Sequence, residues 1–186
     1  MELPRSLILI RHLQPKVKPN TLLGHSDPGL AHIKNINIDN YNALLQAKHL
    51  VVSSDLKRAR QTARLLFKTS KKKEHPGLRE INFGDFELSS WTEIEERHAE
   101  FYKRYMQDWM STSFPHGQSV QQLIKQLEKT MVELTVLSKN KDQLIIIAHG
   151  GTIRCLIHLL AELSIERAFA TSVDYGSIIK LNKISL

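Results

Sequence analysis

The feature that most constrains this chain is a pair of uninterrupted apolar runs, each of which ends in a histidine. Leu7 to Ile10 runs into Arg11 and His12, and Leu144 to Ala148 runs into His149. A strand with one wet face alternates apolar and polar residues, so unbroken runs like these suit strands buried on both faces of a sheet. Leu50 to Val52 is a shorter run of the same kind. The segments between them carry a helical period. Leu56, Ala59, Ala63, Leu66 and Phe67 share one face; Val120, Leu123, Ile124, Leu127, Met131 and Leu134 share another. An aromatic stripe runs through Trp91, Ile94, His98, Phe101, Tyr102, Tyr105 and Trp109. Strands separated by helices of this length predict an α/β fold, a three-layer α/β/α sandwich with a largely parallel central sheet.

A chain of 186 residues with 41% hydrophobic content is long enough to close one core, so one domain over residues 1–186 is expected. No apolar run approaches the roughly 20 residues of a bilayer span, and Leu7 to Ile10 is too short for a signal-peptide core, which predicts a cytoplasmic protein without membrane partners. Cys155 is the only cysteine, so neither an internal disulfide nor a cysteine-cluster metal site can be built within one chain. Lysine and arginine number 26 against 19 acidic residues, and the resulting charge of +7 favours an anionic partner. Lys71, Lys72 and Lys73 precede the Pro76-Gly77 turn signal and read as a solvated loop. Basic residues interleaved with aromatics on a strand, or a reading helix, would point to nucleic acid; neither is present, which speaks against that partner.

In α/β sheets ligands bind at the carboxyl ends of the strands. His12 and His149 leave two strands there, with Gly150 and Gly151 opening the helix that follows. In "SSDLKRARQTARLL", Ser53 or Ser54 can cap a helix and Asp55 suits its positive end. Lys57, Arg60, Gln61, Arg64 and Lys68 form the exposed stripe of that helix. Arg58 lies off it, in the first turn after a strand, where it can reach across the sheet edge. Two arginines, two histidines and a glycine-opened helix start make a coherent anion pocket, because guanidinium groups and free helix N–H groups both bind phosphate oxygens. An acid is available in "LREINFGDFEL" as Glu80, Asp85 or Glu87, and the pattern alone does not choose among them.

With these segments in place the chain resembles the histidine phosphatase superfamily, which includes the cofactor-dependent phosphoglycerate mutases and many small phosphatases. The matching pieces are "LIRH" (9–12), "SSDLKRARQTA" (53–63), "LREINFGDFE" (78–87), "PHGQS" (115–119) and "IIAHGGTIR" (146–154), in the family's order. Within the superfamily, "GHSDPGL" (24–30), "FGDFELSSWTEI" with the aromatic helix after it, and "VDYGS" (173–177) resemble the α-ribazole phosphatases of cobalamin nucleotide-loop assembly. The resemblance implies a phosphoglycerate mutase-like fold and a small phosphorylated substrate. His12 would be the nucleophile, and Arg11, Arg58 and His149 would hold the phosphoryl oxygens beside Gly150. Glu80 would be the general acid, leaving Asp85 and Glu87 as local scaffold, and Gly24 and His25 would lie on the substrate side. No metal or other cofactor is required by such a scheme.

The chain departs from the family pattern in places. Leu13, Gln14 and Pro15 stand where Gly, Glu and Thr or Ser are usual after the Arg-His pair, so a leucine side chain is expected at the pocket's floor. Gln118 replaces a common Glu, and residues 31–50, with Asn35, Asn37, Asn40 and Asn42, show little helical pattern. Other readings are a mutase-like enzyme, or a phosphatase for a sugar phosphate, a nucleotide or protein phosphohistidine. A different class altogether is a catalytically silent binder of phosphate or nucleic acid. His12 together with Glu80 argues against silence, since a binder needs neither nucleophile nor acid.

Overall fold

The computed structural model describes residues 4–32, 36–46 and 48–181. Five strands form the sheet: β1 (Ser6–Arg11), β2 (His49–Ser53), β3 (Lys72–Glu74), β4 (Gln143–Ala148) and β5 (Ile178–Leu181). Their order is β3-β2-β4-β1-β5; all neighbours are parallel except β5, which runs antiparallel to β1. The long apolar runs therefore occupy the interior positions, as strands buried on both faces must.

Side chains alternate cleanly between two cores. Leu7, Leu9, Val52, Leu144 and Ile146 face one side, while Ile8, Ile10, Val51, Ile145 and Ile147 face the other. The first core is covered by α5 (Val120–Leu137) and α6 (Gly150–Ala161), together with α3 (Trp91–Arg97), α4 (Ala99–Gln107) and α7 (Ile165–Ala170). The second is covered by α2 (Lys57–Leu66) and the short α1 (Asp39–Asn42). Two cores on one sheet make the expected three layers. On α5, Leu127, Met131 and Leu134 are fully buried, each stabilising the helix's seat by about 1.5–3 kcal/mol relative to exposure. The same helix begins with a capping box in which Ser119 and Gln122 satisfy each other's backbone N–H.

Four local expectations are corrected. The aromatic stripe is two helices, broken at His98, which closes α3 and opens α4. Neither Ser53 nor Ser54 caps α2, whose N-cap is Leu56; the Lys57 N–H is taken instead by Asp27 Oδ1 at 2.6 Å from a distant loop. Asp55 turns to Arg79, which grips both its oxygens at 2.7 and 2.6 Å. The lysine run contains the edge strand β3, where charged side chains also discourage pairing with another chain. Asn35 lies outside the described residues; Asn40 and Asn42 fall in α1, where Tyr41 donates its hydroxyl to Gly176 O at 2.9 Å.

Candidate active site

The parallel register sets Arg11 opposite Ala148, and the His12 N–H donates to the Ala148 carbonyl at 2.9 Å. His12 and His149 thus leave adjacent strands together, their rings 5.0 Å apart and edge-on. They are 3% and 1% exposed.

The partners of the two rings assign opposite proton positions. His12 Nδ1 lies 2.7 Å from Leu13 O; a carbonyl only accepts, so Nδ1 carries the proton and Nε2 keeps its lone pair. His149 Nδ1 lies 3.1 Å from Arg58 Nε; a guanidinium only donates, so Nδ1 accepts and Nε2 carries the proton. That Nε2 is buried and has no partner among the described residues. Burial, then the charges of Arg58 and Arg11, lower the His12 pKa to about 3 against the opposing effect of the Leu13 carbonyl. Burial, followed by Arg58 and His12, holds His149 well below the usual histidine value. Both rings are neutral at ordinary pH.

Neither Arg58 nor His149 is among the residues that line the cavity; Arg58 is completely buried and lies behind the His149 ring, on its Nδ1 side. Its Nη1 donates to Ser26 O at 2.8 Å, and its Nη2 donates to Gly24 O at 2.7 Å and Leu23 O at 3.3 Å. The same loop is held from its other side by Glu87, whose carboxylate accepts from the N–H groups of Gly24, His25 and Ser26 at 3.2, 2.8 and 2.9 Å. Burial alone would raise the Glu87 pKa, but these donors and Phe83 N–H outweigh it and hold the carboxyl below its ordinary value. Gly24 and His25 therefore sit in the loop that supports Arg58, away from the cavity lining, with the His25 ring 3.0 Å from Glu80 O.

Of the three candidate acids, only Glu80 reaches the cavity. Asp85 points outward to His116 at 2.9 Å, and Glu87 is committed to the loop. Glu80 is 7% exposed and sits on the start of α6. Its oxygens accept from Gly151 N at 2.8 Å, Thr152 N at 3.0 Å and Ile81 N at 3.0 Å. The helix N–H groups expected to meet a ligand are thus partly taken by a side chain of the protein itself. A Cβ on Gly151 would stand 2.6 Å from Glu80 Oε1, so this contact requires glycine.

The cavity, about 250 Å³, is lined among others by Arg11, His12, Glu80, Gly150, Arg154 and Tyr175. Arg11 donates from Nη1 to Val173 O at 2.7 Å, and its guanidinium lies 3.9 Å from the centre of the Tyr175 ring; its Nε is buried without a partner among the described residues. Arg154 on α6 donates from Nε to Thr171 O at 3.2 Å. A Cβ on Gly150 would lie 3.3 Å from Arg154 Nη1 and 3.4 Å from Arg11 Cζ, so the two guanidinium groups converge over that glycine. Burial, then Arg11, lowers the Arg154 pKa, the mark of like charges brought together where an anion would relieve them. Among the described residues no cluster of three His, Cys, Asp or Glu side chains is placed to hold a metal ion.

Leu13 does not occupy the floor. Its side chain is buried in the second core beside Gly176, whose φ of +77° suits glycine and whose N–H donates to Arg11 O at 3.1 Å. Gln118 holds Asn82 N at 3.1 Å and Gln126 at 3.0 Å, outside the cavity lining. Arg154 and Tyr175 were not singled out from sequence. Arg154 stands four residues after Gly150, one helical turn, and that spacing was the available signal.

A neutral imidazole lone pair, a second imidazole N–H, two converging guanidinium groups and one carboxylate define, on this fold, a phosphatase-class hydrolase. The sequence pattern of the "Histidine phosphatase superfamily (branch 1)" matches residues 7–183, and the chain belongs to that family. The Adenosylcobalamin/alpha-ribazole phosphatase of Escherichia coli is 27% identical over 184 residues, covering 95% of this chain and 90% of that enzyme. The enzyme of the same name from Salmonella typhimurium is 29% identical over 128 residues, 68% of this chain and 63% of its own length. The 6-phosphofructo-2-kinase/fructose-2,6-bisphosphatase 3 of Rattus norvegicus is 25% identical over 98% of this chain, which spans 32% of that protein. Among solved structures, a putative alpha-ribazole-5′-P phosphatase from Escherichia coli superposes with a TM-score of 0.81 at 24% identity, covering 96% of this chain and 90% of that one. That likeness shows the fold.

Proposed function

We propose that the protein is a phosphomonoesterase that works through a phosphohistidine on His12, with α-ribazole 5′-phosphate as its substrate. The observation that carries the mechanism is the opposed tautomers: one neutral ring offers a lone pair into the cavity and its neighbour offers a proton. His12 Nε2 attacks phosphorus and the ester P–O bond breaks, its electron pair leaving with the alkoxide. Glu80 serves as the general acid that supplies the proton making the alcohol. Water then attacks the phosphohistidine and gives its proton to Glu80; the P–N bond breaks, the pair returns to Nε2, and inorganic phosphate leaves. Throughout, His149 Nε2–H, Arg11 and Arg154 hold the phosphoryl oxygens, while Arg58 keeps His149 in its donating form. None of these steps calls on a metal.

The two enterobacterial relatives named for alpha-ribazole support the substrate. Brief exposure to that ester, quenching in base and intact-mass measurement should show one added phosphoryl group in the wild-type protein and none in His12→Ala. An unmodified wild-type mass under conditions of turnover sinks the covalent route. For the substrate, kcat/KM on α-ribazole 5′-phosphate should exceed that on fructose 2,6-bisphosphate at least about tenfold. The reverse preference moves the substrate to sugar phosphates.

A further inference from the structure

Arg58 is a buried cation with no carboxylate against it. Among the described residues it forms no direct ion pair, and its guanidinium is spent on neutral acceptors: His149 Nδ1 and the carbonyls of Leu23, Gly24 and Ser26. A charge taken out of water needs compensation, and carbonyl dipoles supply it only as well as they are held in place. Burial pulls the Arg58 pKa down, and the carboxylates of Glu80, Asp27 and Glu87, in that order, oppose it from farther off.

Glu87 reaches Arg58 through peptide planes. Its Oε1 accepts from the N–H groups of His25 at 2.8 Å and Phe83 at 3.1 Å, and its Oε2 from those of Ser26 at 2.9 Å and Gly24 at 3.2 Å. The N–H of Gly24 belongs to the same peptide as the Leu23 carbonyl, and the N–H of His25 to the same peptide as the Gly24 carbonyl. Both carbonyls accept from Arg58 Nη2, at 3.3 and 2.7 Å. In a trans peptide the N–H and the C=O point opposite ways. Two peptide dipoles are therefore clamped between an anion and a cation, each hydrogen bond polarising the next. A Cβ on Gly24 would collide with Glu87 Oε1 and Ile81 O, so glycine is what lets the carboxylate close on the loop.

We propose that Glu87 is a positioning residue for phosphoryl transfer: by fixing these two peptides it fixes Arg58, and Arg58 in turn keeps His149 with its proton on Nε2. The relay moves no proton; it passes orientation from a carboxylate outside the cavity to the imidazole that donates to the phosphoryl oxygens. The inference rests on the phosphatase reading above, and it gives Glu87 a part in the chemistry that a loop scaffold alone would not have.

Glu87→Gln tests the relay with little change of shape. An amide nitrogen only donates, so two of the four N–H groups lose their acceptor. In the free protein the nitrogen chemical shifts of His149 should move from a single tautomer towards a mixture, while those of His12 stay put and report that the variant is folded. With para-nitrophenyl phosphate, kcat should fall about 3- to 30-fold and KM stay within about threefold, because a donor to a developing charge acts mainly in the transition state. The loss should not multiply with that of Arg58→Lys: the double variant should come within about twofold of the slower single variant. Should Glu87→Gln fail to fold, Glu87→Asp, shorter by one methylene, should shift His149 in the same direction. A His149 signal that stays a single tautomer in the folded variant, or losses that multiply in full, would overturn the relay. The shifts need no turnover, so a wild-type protein that hydrolyses no phosphate ester would strike the phosphatase reading and leave the relay standing or falling on the shifts.

Discussion

The ends of β1 and β4 are built alike and behave oppositely. Each is a buried parallel strand closed by a histidine, and each ring is neutral because burial and nearby guanidinium charge strip its proton affinity. They differ in what touches Nδ1. At His12 it is a carbonyl, which forces the proton inward and frees Nε2; at His149 it is Arg58, which forces the proton outward onto Nε2. Strand position places an imidazole at the site, and the partner of Nδ1 decides whether Nε2 presents a lone pair or a proton.

The largest expected effect separates the two rings. His12→Ala should lower turnover by about 10⁴-fold or more, since the proposed route carries the phosphoryl group on His12 Nε2. His149→Ala should cost less, about 10²- to 10³-fold, the usual loss of one donor to a developing charge, and phosphoenzyme should still form. Equal losses, with no phosphoenzyme in either variant, would erase the distinction between them.

A slower effect concerns what the rings share. Both have folded-state pKa values below the unfolded value of 6.5, so below that pH the unfolded chain binds more protons than the folded one. Their contribution to stability is complete above about pH 6.5 and is lost as pH falls below it, by up to about 1.4 kcal/mol per pH unit for each ring, the loss due to His12 running down towards its folded value of about 3. Denaturant midpoints measured from pH 7 to pH 4 should fall accordingly, and His12→Asn should flatten the fall. An unchanged slope in that variant would mean that His12 is not neutral by burial.

The smallest effect is the sharpest test of the comparison. Arg58→Lys keeps a positive charge but gives up the fork that spans the Ser26 and Gly24 carbonyls. Turnover should drop by about 3- to 10-fold, and the nitrogen chemical shifts of His149 should move from a single tautomer towards a mixture while those of His12 stay put. A His149 signal that remains a single tautomer would show that Arg58 does not set it.

The sequence reveals these features unevenly, for physical reasons. Leu7 to Ile10 and Leu144 to Ala148 are legible because a strand buried on both faces leaves no polar residue to confuse the period. Arg58 is legible by register, off the solvated stripe of its helix. The edge strands are harder to see: β3 is Lys72–Glu74, composed like a loop because an edge is solvated, and β5 is the four residues Ile178–Leu181. The choice among Glu80, Asp85 and Glu87 depends on where one short loop meets the start of α6, a contact between residues 71 and 72 positions apart. The partner of Lys57 N–H, Asp27, is likewise 30 residues away, beyond the reach of local cap rules. The His149 tautomer rests on a distant partner too, Arg58, 91 positions away, whereas that of His12 rests on the carbonyl of its neighbour Leu13.

The bonds that orient Arg11 come from the far end of the described chain: Val173 O, the Tyr175 ring and Gly176 N–H. During synthesis His12 is therefore made long before the residues that arrange its neighbour. At about 5–20 residues per second, the ribosome needs on the order of ten to thirty seconds to travel from one to the other. For that interval the nascent chain carries His12 without the guanidinium set beside it, and the arrangement on which the proposed chemistry depends is complete only after translation has passed the loop that leads into β5.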